Sequence, residues 1–227
     1  MRRWSRLAPL ALLLACSSLE EGAGGVVGLE IRTPSSLVLE VGETLQLSAT
    51  ALDADGNVVD AVVLWRTADA AVTVDEASGL VTAVAPGTGR VQATAGALSS
   101  ELVSLTVLAP ADTLMLLGDS VVVAAAEPGA TPPLTVQLQS FNPPGPLDAR
   151  PVIYEITRPT AVPVAVTLPG GVLIDTLTTA TDGTVGAVVS RAPGTPVPDT
   201  VIVEVRASRT RGAAVPGSGQ RFIVLFQ

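Results

Sequence analysis

The chain has 227 residues, enough for one large domain or two small ones. It is 48% hydrophobic and 3% aromatic, with 21 glycines and 18 prolines, a balance that excludes a helical bundle and wholesale disorder and suits many short strands and turns. All 13 basic residues are arginine and histidine is absent, which removes the commonest general base and metal ligand, and the formal charge of −8 argues against nucleic acid as a partner.

Residues 1–16 begin with a cationic head containing Arg2, Arg3 and Arg6, continue through an apolar run at 7–14, and end in Ala15-Cys16. This is the pattern of a secretory signal. The apolar run is far shorter than the roughly 20 residues a helix needs to span a bilayer, and no later segment reaches that length uninterrupted. Removing residues 1–15 takes away three arginines and no acid, which leaves ten arginines against 21 acids, a net −11. Leu13-Leu14-Ala15-Cys16 resembles the bacterial lipobox. The resemblance implies cleavage before Cys16, a lipid on its sulfur and acylation of the new amine, so that acyl chains contributing about 0.8 kcal/mol per buried CH₂ anchor the protein without a spanning helix. The alternative is an ordinary secretory signal with an incidental cysteine. Ser17 stands where an Asp would favour inner-membrane retention, so the same resemblance points to the outer membrane. Cys16 is the only cysteine, and no disulfide is expected despite export. Residues 16–27, with three glycines and two glutamates after the cysteine, form the lipidated residue and a flexible tether.

From residue 28 short runs rich in Val, Leu, Ile and Thr alternate with turn signals, the signature of an all-β sandwich. Strands are expected at 29–32, 36–40, 45–51, 58–66, 72–75, 80–84, 89–95 and 101–108. Turns are expected around Asp53 to Asn57, Ser78-Gly79, Pro86 to Gly89 and Ala95-Gly96. Leu45, Leu47, Ala49 and Ala51 alternate with Gln46, Ser48 and Thr50, which sets one face in a core and one in water.

Four stretches in this segment carry a family resemblance: 37–51 (LVLEVGETLQLSATA), 63–69 (VLWRTAD), Val74-Asp75 with 78–83 (SGLVTA), and 86–95 (PGTGRVQATA). Residues 28 to about 108 resemble a group 2 bacterial immunoglobulin-like domain. In that pattern Gly42 and Glu43 form the turn before a core strand, Trp65 is the large central core residue, and Gly79 and Gly87 serve turns that need positive φ or close backbone approach.

The run Ala109-Pro110-Ala111-Asp112 marks a boundary, giving domains at 28–109 and 110–227. Further strands are expected at 113–117, 120–125, 134–141, 151–157, 162–167, 172–177, 184–190, 200–207 and 221–226. The prolines of the linkers, at 132–133, 143–146 and 193–198, would blunt exposed edges. Residues 133–207 resemble the invasin/intimin type of immunoglobulin-like domain, with 134–140 as first core strand, 148–152 as a polar turn and 178–185 as a threonine-rich turn and strand. The polar-Asn-Pro turn of that family is absent. The strands at 113–125 are read as an extra hairpin or as part of the sandwich. The fold expected is therefore all-β: two immunoglobulin-like antiparallel sandwiches in tandem after a cleaved lipoprotein signal.

Candidate site residues are few. Asp53, Asp55, Asn57 and Asp60 place oxygen ligands at near-alternate positions, as a calcium loop would. Gly56 stands fourth rather than sixth, however, and a hairpin in which Asp-Gly and Gly-Asn supply positive φ is preferred. Asp69, Asp75 and Glu76 could add ligands at a domain end. Arg206, Arg209 and Arg211 form a basic turn that could take anionic sugars or lipid headgroups, or be simply solvated. Trp65, Phe141 and Tyr154 are expected in the core rather than in a sugar-binding platform. No nucleophile elbow, phosphate loop or zinc spacing occurs; with neither His nor Lys the usual nucleophile activators are missing, so no catalytic residue is assigned. The expectation is a non-catalytic envelope lipoprotein for adhesion or structure. Its partners would be the membrane through its lipid and a glycan or protein. A carbohydrate- or peptidoglycan-binding accessory protein is the alternative, and an enzyme with a carboxylate site the third reading.

Overall fold

The computed structural model describes residues 25–125, 129–159, 165–191, 195, 196, 198 and 200–227. Cys16 and the signal segment lie outside them. Two separate hydrophobic cores organise the described residues, one built from positions between Ile31 and Val107, the other between Ala109 and Phe226.

In the first sandwich the strand Gly28–Arg32 pairs with Ser48–Leu52, and Thr44–Gln46, Leu80–Ala83 and Val72–Val74 continue that layer. The facing layer runs Val38–Glu40, Val103–Leu108, Gly87–Ala95 and Leu64–Thr67. The expected 45–51 strand is divided at Leu47, whose N–H donates to Gly79 O at 3.1 Å. The residues before Leu47 pair on one edge and those after it on the other. The alternation read from sequence does set the burial: Leu45, Leu47 and Ala51 are buried, and fully burying a leucine is worth about 1.5–3 kcal/mol.

Trp65, 5% exposed, sits over the turn at Gly79. A Cβ on Gly79 would lie 2.6 Å from the indole Cε2, and the residue holds φ +73°. Both the conformation and the close approach require glycine there.

The second sandwich repeats the plan. Thr113–Leu116 pairs with Leu134–Phe141, which also carries Pro144–Pro146 and Thr184–Ala187. The facing sheet runs Val121–Ala124, Gln220–Phe226, Val201–Arg206, Pro151–Arg158 and Ile174–Thr178. Tyr154 is fully buried, and its hydroxyl is shared between Leu134 O and Val185 O, each at 2.9 Å, which ties this sheet to the other layer. Burial raises its pKa, because a phenolate in an apolar core is strongly disfavoured.

Three features differ from the expected pattern. First, the strands at 113–125 are not an extra hairpin. Thr113–Leu116 joins one layer and Val121–Ala124 the other, as Gly28–Arg32 and Val38–Glu40 do in the first sandwich. Second, the pairing is antiparallel except that in each sandwich the strand that has changed layers runs parallel to the last strand. Phe141 also departs from expectation: at 65% exposed it ends its strand in solvent.

Candidate functional site: the joint between the sandwiches

The strand Val38–Glu40 alternates so that Leu39 enters the first core, and Glu40 reaches the seam between the two cores. Both residues are fully buried. A buried carboxylate must be fully partnered, and Glu40 is. Its Oε2 accepts from Ala111 N at 2.8 Å and its Oε1 from Arg150 Nη1 at 2.8 Å, with Arg209 Nε 3.8 Å from Oε2. The Arg150 guanidinium forks, since its Nη2 donates to Ala109 O at 2.7 Å, a use of geometry that lysine cannot copy. Arg150 is itself held by Thr179: the Arg150 N–H donates to Thr179 Oγ1 at 2.9 Å, and that hydroxyl donates to Leu147 O at 2.6 Å.

A second carboxylate extends the seam. The turn after Val38–Glu40 contains Gly42 at φ +88° and presents Glu43. Its Oε2 accepts from Glu40 N at 2.8 Å and also from Thr210 Oγ1, and its Oε1 accepts from Arg211 N at 3.0 Å. Arg211 Nη2 donates to Ser36 O at 3.2 Å, and Arg209 Nη2 donates to Asp112 Oδ1 at 2.9 Å. Acids of the first sandwich thus meet arginines of the second. Glu40, Glu43, Arg150 and Asp112 carry no sequence signal of this role, because their partners lie as far as 168 residues away.

The basic turn is accordingly divided. Arg209 and Arg211 point into the joint, whereas Arg206 pairs with Glu155 and with Glu204. The acidic loop is a turn stabilised from within: Asp53 Oδ1 accepts from Asp55 N at 2.9 Å and Asn57 N at 2.8 Å. These bonds, chiefly those from Asn57, hold the Asp53 carboxyl below its usual pKa. Asp55, Asn57 and Asp60 are exposed. Asp75 accepts from the Ser78 hydroxyl and N–H, which lower its pKa, and the Glu76 carbonyl accepts from Trp65 N. Among the described residues no group of three or more acids, Cys or His is placed to hold a metal ion.

The outer face of the first sandwich carries a groove of about 400 Å³ bounded by Arg66, Asp69, Arg90, Gln92 and Leu102. Arg90 forks onto both oxygens of Asp69 at 2.9 Å, and this brings the Asp69 pKa down to about 2. Arg66 donates to Gln92 Oε1 at 2.8 Å.

Residues 31–107 match the family model of the bacterial Ig-like domain (group 2). No curated protein matches the chain. Among solved structures it is similar to the adhesin InvE of Yersinia pseudotuberculosis, at 17% identity and a TM-score of 0.43 over 91% of this chain. It spans only 61% of that protein's chain. It is also similar to fibronectin(III)-like modules of Clostridium thermocellum CbhA, at 17% identity and a TM-score of 0.39 over 88% of this chain and 93% of that one. A third likeness is to the D00-D0 domain of intimin, at 15% identity and a TM-score of 0.30 over 87% and 99%.

Proposed function

From a chain whose residues 31–107 match the bacterial Ig-like domain (group 2), we propose a non-catalytic cell-envelope protein, tethered by a lipid on Cys16, that holds two sandwiches in one fixed relation as a spacer or adhesion module. The observation that carries this reading is the joint. Glu40 and Arg150 spend their polar groups on locking one sandwich to the other, and a buried ion pair bonded on both sides specifies a geometry more than it adds stability. No helix among the described residues is long and apolar enough to cross a membrane, and the attachment proposed is the lipid on Cys16. Adhesion is what the family resemblance implies. Two measurements test the reading. Cys16→Ser abolishes fatty-acid labelling, and protease added to intact cells degrades the protein while a periplasmic control survives. Protection until the envelope is broken replaces adhesion with an internal scaffold role, and labelling that persists without the thiol removes the anchor.

The groove beside Arg66 favours a second reading, a carbohydrate- or peptidoglycan-binding module: the cation of Arg66 and the amide of Gln92 line it together with the exposed side chain of Leu102. It predicts that the protein is retained on cell-wall or polysaccharide resin and that Arg66→Ala releases it. Passage through every resin ends it.

A further inference from the structure

The same strand occurs at the same sheet edge in both sandwiches, and its fate differs. In the first, the outward-facing groups of Glu40 are capped from within: its N–H donates to Glu43 Oε2 at 2.8 Å and its carbonyl accepts from Glu43 N at 2.9 Å. In the second, Ser120 O and Ala124 O accept from Ile223 N and Gln227 N. Alternation along the strand therefore turns the N–H and C=O of Val121 and Val123 away from the sheet. No backbone hydrogen bond joins those groups to any other described residue.

Apart from its four-residue length, this edge carries little protection among the described residues. It carries no charge, proline or bulge, and its Val-Val-Val-Ala sequence has high β propensity. Val121 and Val123 are 47% and 57% exposed. On the same face Val121 neighbours Ile223, which neighbours Ile202, and Val123 neighbours Leu225. The face changes character toward the joint, where Arg221, Glu204, Glu155 and Arg206 pair among themselves. The apolar zone is thus confined to the end remote from the joint, beside the open edge.

We propose that Val121–Ala124 is a strand-pairing surface whose occupant is a second copy of this chain. The edge is self-complementary. An antiparallel pair about a two-fold axis at Val122 sets the outward N–H and C=O of Val121 against those of Val123 of the other copy. It opposes valine to valine with no like charges, and joins the two apolar zones into one. Elsewhere an excess of acids repels a like copy, so a charge-free edge is where two copies can approach. Pairing about a two-fold axis uses the same edge of both copies, so it closes at a dimer rather than running on as a fibre. An edge this short makes a weak, transient dimer.

The test uses the full chain. With the axis at Val122, the two Val122 Cα atoms form a non-hydrogen-bonded pair about 4.5 Å apart, within disulfide reach. Val122→Cys in the exporting cell should give a dimer on a non-reducing gel, whereas Val62→Cys, at a site 78% exposed on the other sandwich, should not. Adding Val123→Pro removes an outward donor without touching the ladder and should cut the cross-link at least tenfold. Should that proline prevent folding, Val121→Lys, which keeps the backbone, should give the same loss. Light scattering of the wild-type chain in detergent should show a dimer that dissociates on dilution. A monomer at every concentration, equal cross-linking at Val62, or a cross-link indifferent to both edge changes overturns the proposal. So does a monomer that instead binds an extended valine-rich peptide along this edge, which would give the surface another occupant.

Discussion

Glu40 and Arg150 stand 110 positions apart in sequence and 2.8 Å apart in space, and the pair bridges the two sandwiches. Removing one member of a buried ion pair while everything else stays in place costs about 3–5 kcal/mol, because the remaining charge is left desolvated and alone. This joint has an escape, since the sandwiches can separate and let water reach Arg150. Glu40→Ala therefore should widen the angular distribution between sandwiches more than it lowers stability. Spin labels at the exposed positions 62 and 174 should give a narrow distance distribution in the parent and one at least twice as wide in Glu40→Ala. Arg150→Lys, unable to fork onto both Glu40 and Ala109 O, should fall between. An unchanged width in both variants shows that apolar packing, not the carboxylate, sets the angle.

The Trp65–Gly79 contact gives a contrast between two glycines. Gly79→Ala meets the indole at 2.6 Å in addition to its backbone strain at φ +73°, whereas Gly56→Ala, at φ +82°, meets nothing. Gly56→Ala should cost about 1 kcal/mol, the conformational penalty alone, and Gly79→Ala about 2–4 kcal/mol once overpacking is added. Urea denaturation followed by tryptophan emission reads both. Equal losses would mean that the indole shifts freely.

The alternation of Leu45, Leu47 and Ala51, the strand at 134–141, the turn at Gly42 and the core role of Trp65 are legible in sequence because each depends on residues a few positions apart. The layer change at 33–37 and 117–120 is not. Each half reads as an acceptable strand, and only pairing with a strand at the end of the domain reveals that the two halves belong to different sheets. Glu40 is hidden for the same reason. Between Leu39 and Val41 it reads as the solvent position of an alternating strand, and nothing nearby announces Arg150. Arg209 and Arg211 read as a free basic turn because the first-sandwich acids they approach lie far back in the sequence: Glu40 is 3.8 Å from Arg209, and Glu43 accepts from the Arg211 N–H.

Tyr154→Phe removes one hydroxyl and leaves the carbonyls of Leu134 and Val185 without their shared donor. Both carbonyls also belong to the ladder between Leu134–Phe141 and Thr184–Ala187, so the change costs one net hydrogen bond, about 0.5–1.5 kcal/mol, and no other change in packing is expected, since the ring stays. Denaturation of Tyr154→Phe should show a loss in that range with an unchanged denaturant slope. Tyr154→Leu should cost more, because the aromatic volume goes too. A loss within error for Tyr154→Phe would show that the two layers are tied by the ring alone.

Asp69 supplies the pH prediction. Its hydrogen bonds with Arg90 bring the folded pKa from 3.8 to about 2. A carboxyl whose folded pKa is depressed contributes stability that is fully present above the unfolded value and is lost as pH falls through the folded one. The contribution of this pair is therefore constant from neutrality down to about pH 4 and disappears between about pH 4 and pH 2. Because both side chains are partly exposed, the energy is small and reduced by salt. Carboxyl chemical shifts followed across an acid titration should place the Asp69 midpoint near 2 in the parent and close to the ordinary aspartate value in Arg90→Gln. The difference in stability between parent and Asp69→Asn should vanish at the acid end. A midpoint near 4 in the parent would mean that the fork between Arg90 and Asp69 is not held in solution, and Arg90 would then be available to the groove beside Arg66.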